Sequence, residues 1–207
     1  MDTVALRASW SDAWRALGAS ADDALLAELL ARYAEGQRAY HTLQHLGECL
    51  VHLARERDGA ERPAEVALAL WFHDAIYDVH RHDNEARSAD WARQAARRAG
   101  LAPEVAERLH ALVMATRHDA QPVGADARLL VDIDLAILGA ARERFDEYER
   151  QVRAEYIHVP DAQFRPRRRG LLQRFLERDA LYATPRMRAL LEQPARANLA
   201  RSIASIG

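Results

Sequence analysis

The sequence predicts an all-α protein. Apolar residues recur at helical spacing through most of the chain, and no strand-like alternation persists beyond a few residues. Pro, Gly, Asp and Asn fall where helices should start and stop.

Residues 3–17 place Val4, Leu6, Trp10, Trp14 and Leu17 on one face. Residues 21–34 do the same with Leu25, Leu26, Leu29 and Leu30. From Thr42 to Arg57 the stripe is Leu43, Leu46, Leu50 and Leu53. Pro63 suits the first turn of a helix through Ala67, Leu68, Leu70, Trp71 and Phe72. Asp83 or Asn84 caps the next helix, and Gly100 ends it. Pro103 opens another that reaches Thr116, before a break at Pro122-Val123-Gly124. Helices are then expected over 126–139, 142–157, 168–180 and 186–203, with 158–167 as an interior loop. Val131-Asp132-Ile133-Asp134 alternates, but it is short and flanked by helical signals. The expected organisation is one domain over 1–207, with a core spanning 20–140 and C-terminal helices over 142–205 packed on it.

Composition narrows the class. With 207 residues, 49% apolar and 29% charged, the chain can bury a core without staples. Cys49 is the only cysteine, so no intrachain disulfide forms. No apolar run approaches the ~18 residues of a membrane span. Met1-Asp2-Thr3-Val4 is not a basic segment leading into an apolar stretch, so no secretory signal is expected and the expected location is the cytoplasm. A net charge of −2 gives no electrostatic case for nucleic acid. The Arg165–Arg169 cluster, interrupted by Pro166, reads as a solvated helix start or salt-bridging face. All 29 basic residues are Arg, a side chain able to clamp phosphate bidentately, and Arg153 is a candidate for that role.

Three stretches carry chemistry. Tyr40-His41-Thr42-Leu43-Gln44-His45-Leu46 puts two histidines four residues apart, on one helix face. Imidazole is the commonest protein metal ligand. Leu70-Trp71-Phe72-His73-Asp74 ends a very apolar helix with a His-Asp pair, where a carboxylate is costly unless a partner such as a divalent cation compensates it. Leu129-Leu130-Val131-Asp132-Ile133-Asp134-Leu135 places two acids in an otherwise apolar run. At least one of them should be paired or metal-bound.

Together these resemble the HD superfamily of metal-dependent phosphohydrolases, whose signature is His, then His-Asp, then a distant Asp. The resemblance is closest to bacterial HD phosphohydrolases of this length. Its further matches are Asp83-Asn84-Glu85 with Ser88-Ala89, Ala115-Thr116-Arg117-His118, Tyr148, Val152-Arg153, Arg169-Gly170 and Asn198-Leu199, so that it covers residues 38–200. The Tyr-His-x-x-x-His stretch is also similar to cyclic-nucleotide phosphodiesterases, although Thr42 stands where those have Asn.

The resemblance implies an HD-domain-like helical bundle with a metal site between core helices. It implies His45, His73, Asp74 and a final Asp, Asp134 rather than Asp132, as ligands of a divalent ion (Mn, Fe, Co, Ni, Zn or Mg). Asp74 bridges if two ions bind, and His41 is the general acid. His118, Glu85, Asp132 and Arg153 are candidates for a second metal or for substrate. The implied partner is a small phosphorylated substrate, with an oligomer allowed. Two other classes fit the same ligands: a di-iron oxygenase of HD type, and a non-catalytic nucleotide or metal sensor.

Overall fold

The computed structural model describes residues 3–206 and contains, among them, ten α-helices and no strand. The helices are α1 Thr3–Ala16, α2 Asp23–Tyr33, α3 Leu43–Glu56, α4 Pro63–Phe72, α5 Asn84–Arg98, α6 Pro103–Met114, α7 Ala125–Asp134, α8 Arg142–Glu155, α9 Asp161–Leu176 and α10 Pro185–Ile206. Short 3-10 turns follow α3, α6 and α7, the last over Leu135–Gly139. The all-α expectation holds. Backbone packing divides the chain into two compact units, Met1–Ile133 and Asp134–Gly207, the division falling at the last residue of α7.

The first unit is organised around α4. Every residue from Glu65 to Phe72 is buried, and a helix apolar on all sides must be enclosed by others. Helices α1, α3, α5 and α6 supply that enclosure. Trp10 meets Trp14 and Trp71 edge-on, each with ring centroids 5.3 Å apart, and all three rings are buried. Among the described residues their indole N–H groups have no hydrogen-bond acceptor, and the rings meet one another edge to face. Glu65, the one acid on buried α4, is held in a fork by Arg108 of α6 at 2.7 and 2.8 Å. Asp126 accepts from the amides of Glu61 and Arg62 at 2.7 and 3.3 Å, tying the start of α7 to the start of α4. Gly100 stops α5 as expected: its φ is +76°, and the Leu101 amide reaches back to Ala96 O at 3.1 Å.

In the second unit, α10 packs against α9 and against the 3-10 turn at Leu135–Gly139. A Cβ at Gly139 would sit 2.7 Å from Leu191 Cβ, so only glycine allows that approach. Asn198 donates to Leu138 O and Ala140 O, both at 2.9 Å. Buried Arg168 of α9 pairs with Glu149 of α8, which also accepts from Ser202 at 2.9 Å.

Several expectations are corrected. Val4 is 77% exposed, because only Leu6, Trp10, Ala13 and Trp14 of α1 face inward. Asp83 occupies the position before α5 but makes no capping bond; Arg81 takes both its oxygens at 2.7 Å. The expected loop 158–167 shrinks to a short link, since α9 starts at Asp161, directly after Pro160, and continues through Pro166.

Trp10→Ala should cost about 3–5 kcal/mol of stability, because the ring fills space between two other buried indoles. Chemical denaturation followed by far-ultraviolet circular dichroism checks this. A loss under ~1 kcal/mol would mean that the tryptophan cluster is not a keystone of the first unit.

Candidate metal centre

The site is built on helix ends. Thr42 caps α3, its side chain accepting from the Gln44 amide at 3.3 Å, so the helix begins at Leu43 and places His45 in its first turn. Helix α4 stops at Phe72, and His73 follows as its C-terminal cap. This leaves a row of carbonyls without helical partners. Side chains satisfy them. Tyr33 donates to Trp71 O at 3.1 Å, and His73 Nδ1 donates to Leu70 O at 2.6 Å. Arg38 donates to Asp74 O at 2.6 Å and Ala75 O at 3.1 Å.

The bond to Leu70 O decides the chemistry of His73. A carbonyl only accepts, so Nδ1 carries a proton, and in the neutral form of the ring Nε2 would present a lone pair. That nitrogen lies 3.1 Å from His45 Nε2 and 3.0 Å from Asp74 Oδ2. His45 Nε2 lies 3.5 Å from the same oxygen. Among the described residues, Asp74 Oδ2 is a buried carboxylate oxygen with no hydrogen bond of good geometry, and these two ring nitrogens are its close neighbours. Tyr40 Oη lies 3.0 Å from His45 Nδ1, a hydrogen bond that fixes the ring with Nε2 turned toward His73.

A second set overlaps this one. Ligand atoms of His45, Cys49, His73 and Asp134 all lie within 4.8 Å of one another, and this buried cluster can hold a metal ion. Asp74 is outside that set and joins it through the two imidazoles. The donor chemistry fits a divalent ion: for tetrahedral coordination at ordinary Zn–N lengths, adjacent nitrogens stand about 3.3 Å apart. Burial pushes the Asp74 pKa up, but charge on His73, His41 and His45 outweighs it and holds the carboxyl well below the usual range.

Asp134 is the acid of α7 that belongs to the cluster. Asp132, two residues earlier and therefore on another face of the helix, is buried but outside it. His41 corrects the expectation of a shared helix face. It precedes the cap, so it is not on α3, and it stacks on Tyr77 at 4.0 Å. Its charge is nevertheless felt at Asp74. His118 sits in the left-handed region after Ala115–Arg117, and Glu85 lies in the first turn of α5; neither is in the donor set. Arg153 closes the end of α8, donating to Tyr156 O at 2.7 Å and Val159 O at 3.1 Å and pairing with Asp161. A cavity of about 480 Å³ lies elsewhere, lined by Arg62, Glu65, Arg108, Arg117 and Asp126. None of the candidate ligands lines it, and its charges are committed to one another.

Sequence reading missed Arg38 and Cys49. Arg38 is fully buried, pairs with Glu35 at 3.1 Å, donates to His41 O at 3.1 Å and lies over the Tyr33 and Tyr77 rings. It thus ties the His41 segment to the His73-Asp74 backbone. In a chain whose every basic residue is Arg, nothing marked it. Cys49 did carry a signal, its spacing four residues after His45.

Arg38→Ala should cost about 3 kcal/mol or more, since it takes the donor from three carbonyls, those of His41, Asp74 and Ala75, in a part-buried place. Arg38→Lys should recover only part, because one ammonium cannot span that fan of acceptors. Equal stability of Lys and Arg forms in denaturant titrations would contradict the role. In comparisons with known proteins, no family model, curated protein or solved structure matches this chain.

Proposed function

We propose that the protein is a metal-dependent phosphohydrolase of the HD superfamily, acting on a phosphoester or phosphoanhydride bond in a small nucleotide or phosphorylated metabolite. The observation that carries this reading is the convergence of His45 Nε2, His73 Nε2 and Asp74 Oδ2 at 3.0–3.5 Å. Those residues stand in the order His, His-Asp that the resemblance requires, and Asp134 supplies the distant Asp.

In this reading His45, His73, Asp74 and Asp134 hold a divalent ion. When bound, such an ion would lower the pKa of water toward neutrality and would polarise a phosphoryl oxygen. The remaining work falls to the chain. Tyr40 and Leu70 O fix the two imidazole orientations from behind. Asp74 stays a carboxylate at neutral pH. Stacked on Tyr77 and anchored through its carbonyl by Arg38, His41 is held beside the centre without being one of its donors. It delivers a proton to the leaving oxygen.

The test is a phosphatase and phosphodiesterase screen on metal-stripped protein reloaded with Mn, Fe, Co, Ni, Zn or Mg, using nitrophenyl esters, nucleotides and cyclic nucleotides. Metal-dependent phosphate release is expected, and Asp74→Ala should abolish both release and bound metal while circular dichroism stays helical. Full metal occupancy in Asp74→Ala would contradict the ligand assignment. His41→Ala should keep the metal and lose about 10²- to 10⁴-fold in rate, most for poor leaving groups. Loss of metal in that variant would make His41 a ligand instead. Tight metal binding without turnover of any ester would favour the sensor reading.

A further inference from the structure

We propose that Cys49 is a thiolate ligand of this centre, making it a mixed nitrogen, oxygen and sulfur site that selects zinc-like ions over magnesium or manganese. The inference rests on the metal centre proposed above and adds a donor that the His, His-Asp, Asp pattern does not contain.

The argument begins on α3. Cys49 lies one helical turn after His45, so the two side chains share a face. The thiol is buried, with Sγ 3.7 Å from His45 Nδ1 and 3.8 Å from Nε2. Its sulfur also lies within 4.8 Å of the ligand atoms of His73 and Asp134. With Zn–N near 2.0–2.1 Å and Zn–S near 2.3 Å, tetrahedral geometry puts nitrogen and sulfur about 3.5 Å apart. The observed separation from Nε2 is close to that edge, as the 3.1 Å imidazole separation is close to the nitrogen–nitrogen edge.

The independent observation is Asp74 Oδ2, a buried carboxylate oxygen 3.0 and 3.5 Å from the Nε2 atoms of the same two imidazoles and, among the described residues, without a hydrogen bond of good geometry. It marks the space beside Cys49 as one that calls for a cation. Ligation breaks the S–H bond heterolytically: the proton leaves to solvent, the sulfur electron pair goes to the metal, and nothing is oxidised or reduced. Thiolate is a soft donor and favours Zn, Co or Fe, whereas Mg and Mn prefer oxygen.

The test is optical titration of the metal-stripped, full-length protein with Co(II). A sulfur-to-cobalt charge-transfer band in the near ultraviolet is expected, alongside the weaker visible bands of coordinated cobalt. Cys49→Ser and Cys49→Ala should lose the ultraviolet band and keep the visible ones. Zinc affinity should fall about 10- to 100-fold in both variants, with manganese affinity unchanged. Cobalt bound by the wild-type chain without the ultraviolet band would overturn the thiolate while leaving the metal centre standing. No cobalt bound at all would overturn both. If either variant fails to fold, the wild-type spectrum alone still decides.

Discussion

The imidazoles of His45 and His73 face one another across 3.1 Å, with a carboxylate oxygen of Asp74 3.0 and 3.5 Å from them. Electron-rich atoms this close in a buried place repel unless a proton or a cation sits among them. The bond to Leu70 O points the Nδ1 proton of His73 away from the cluster. The cluster is therefore arranged to receive positive charge, and much of the first unit's local structure follows from keeping it so arranged.

That upkeep is concentrated at the end of α4. An apolar helix buried on every side must stop somewhere, and its last carbonyls need donors. Tyr33, His73 and Arg38 provide them, on Trp71, Leu70, Asp74 and Ala75. Satisfying the helix end and aiming the His-Asp pair are thus the same event. Arg38 extends the scaffold to the carbonyl of His41, and Tyr77 continues it as a stacking surface. Residues with no metal-ligating chemistry consequently fix the geometry of those that have it.

The fold was legible because apolar periodicity, Pro63 and Pro103 at helix starts and Gly100 at a helix stop are local signals with local causes. The histidines and acids were legible because polar groups stand out in apolar runs. The rest depended on tertiary partners. Asp83 looks like a cap until Arg81 claims its carboxylate. Two histidines four residues apart look like one helix face until Thr42 starts the helix between them. Whether Asp132 or Asp134 joins the cluster turns on where α7 directs each face, and one hydrophobic run contains both. Arg38 was invisible because its role is defined by carbonyls more than thirty residues away.

The central claim is that these residues form a metal centre. Anomalous diffraction from crystals grown with zinc or manganese, recorded at the absorption edge of the added metal, tests it most directly. The account predicts a peak roughly 2.0–2.3 Å from His45 Nε2, His73 Nε2 and a carboxylate oxygen of Asp74. No peak there at saturating metal, with His45 donating directly to His73 Nε2 across the cluster, would contradict it.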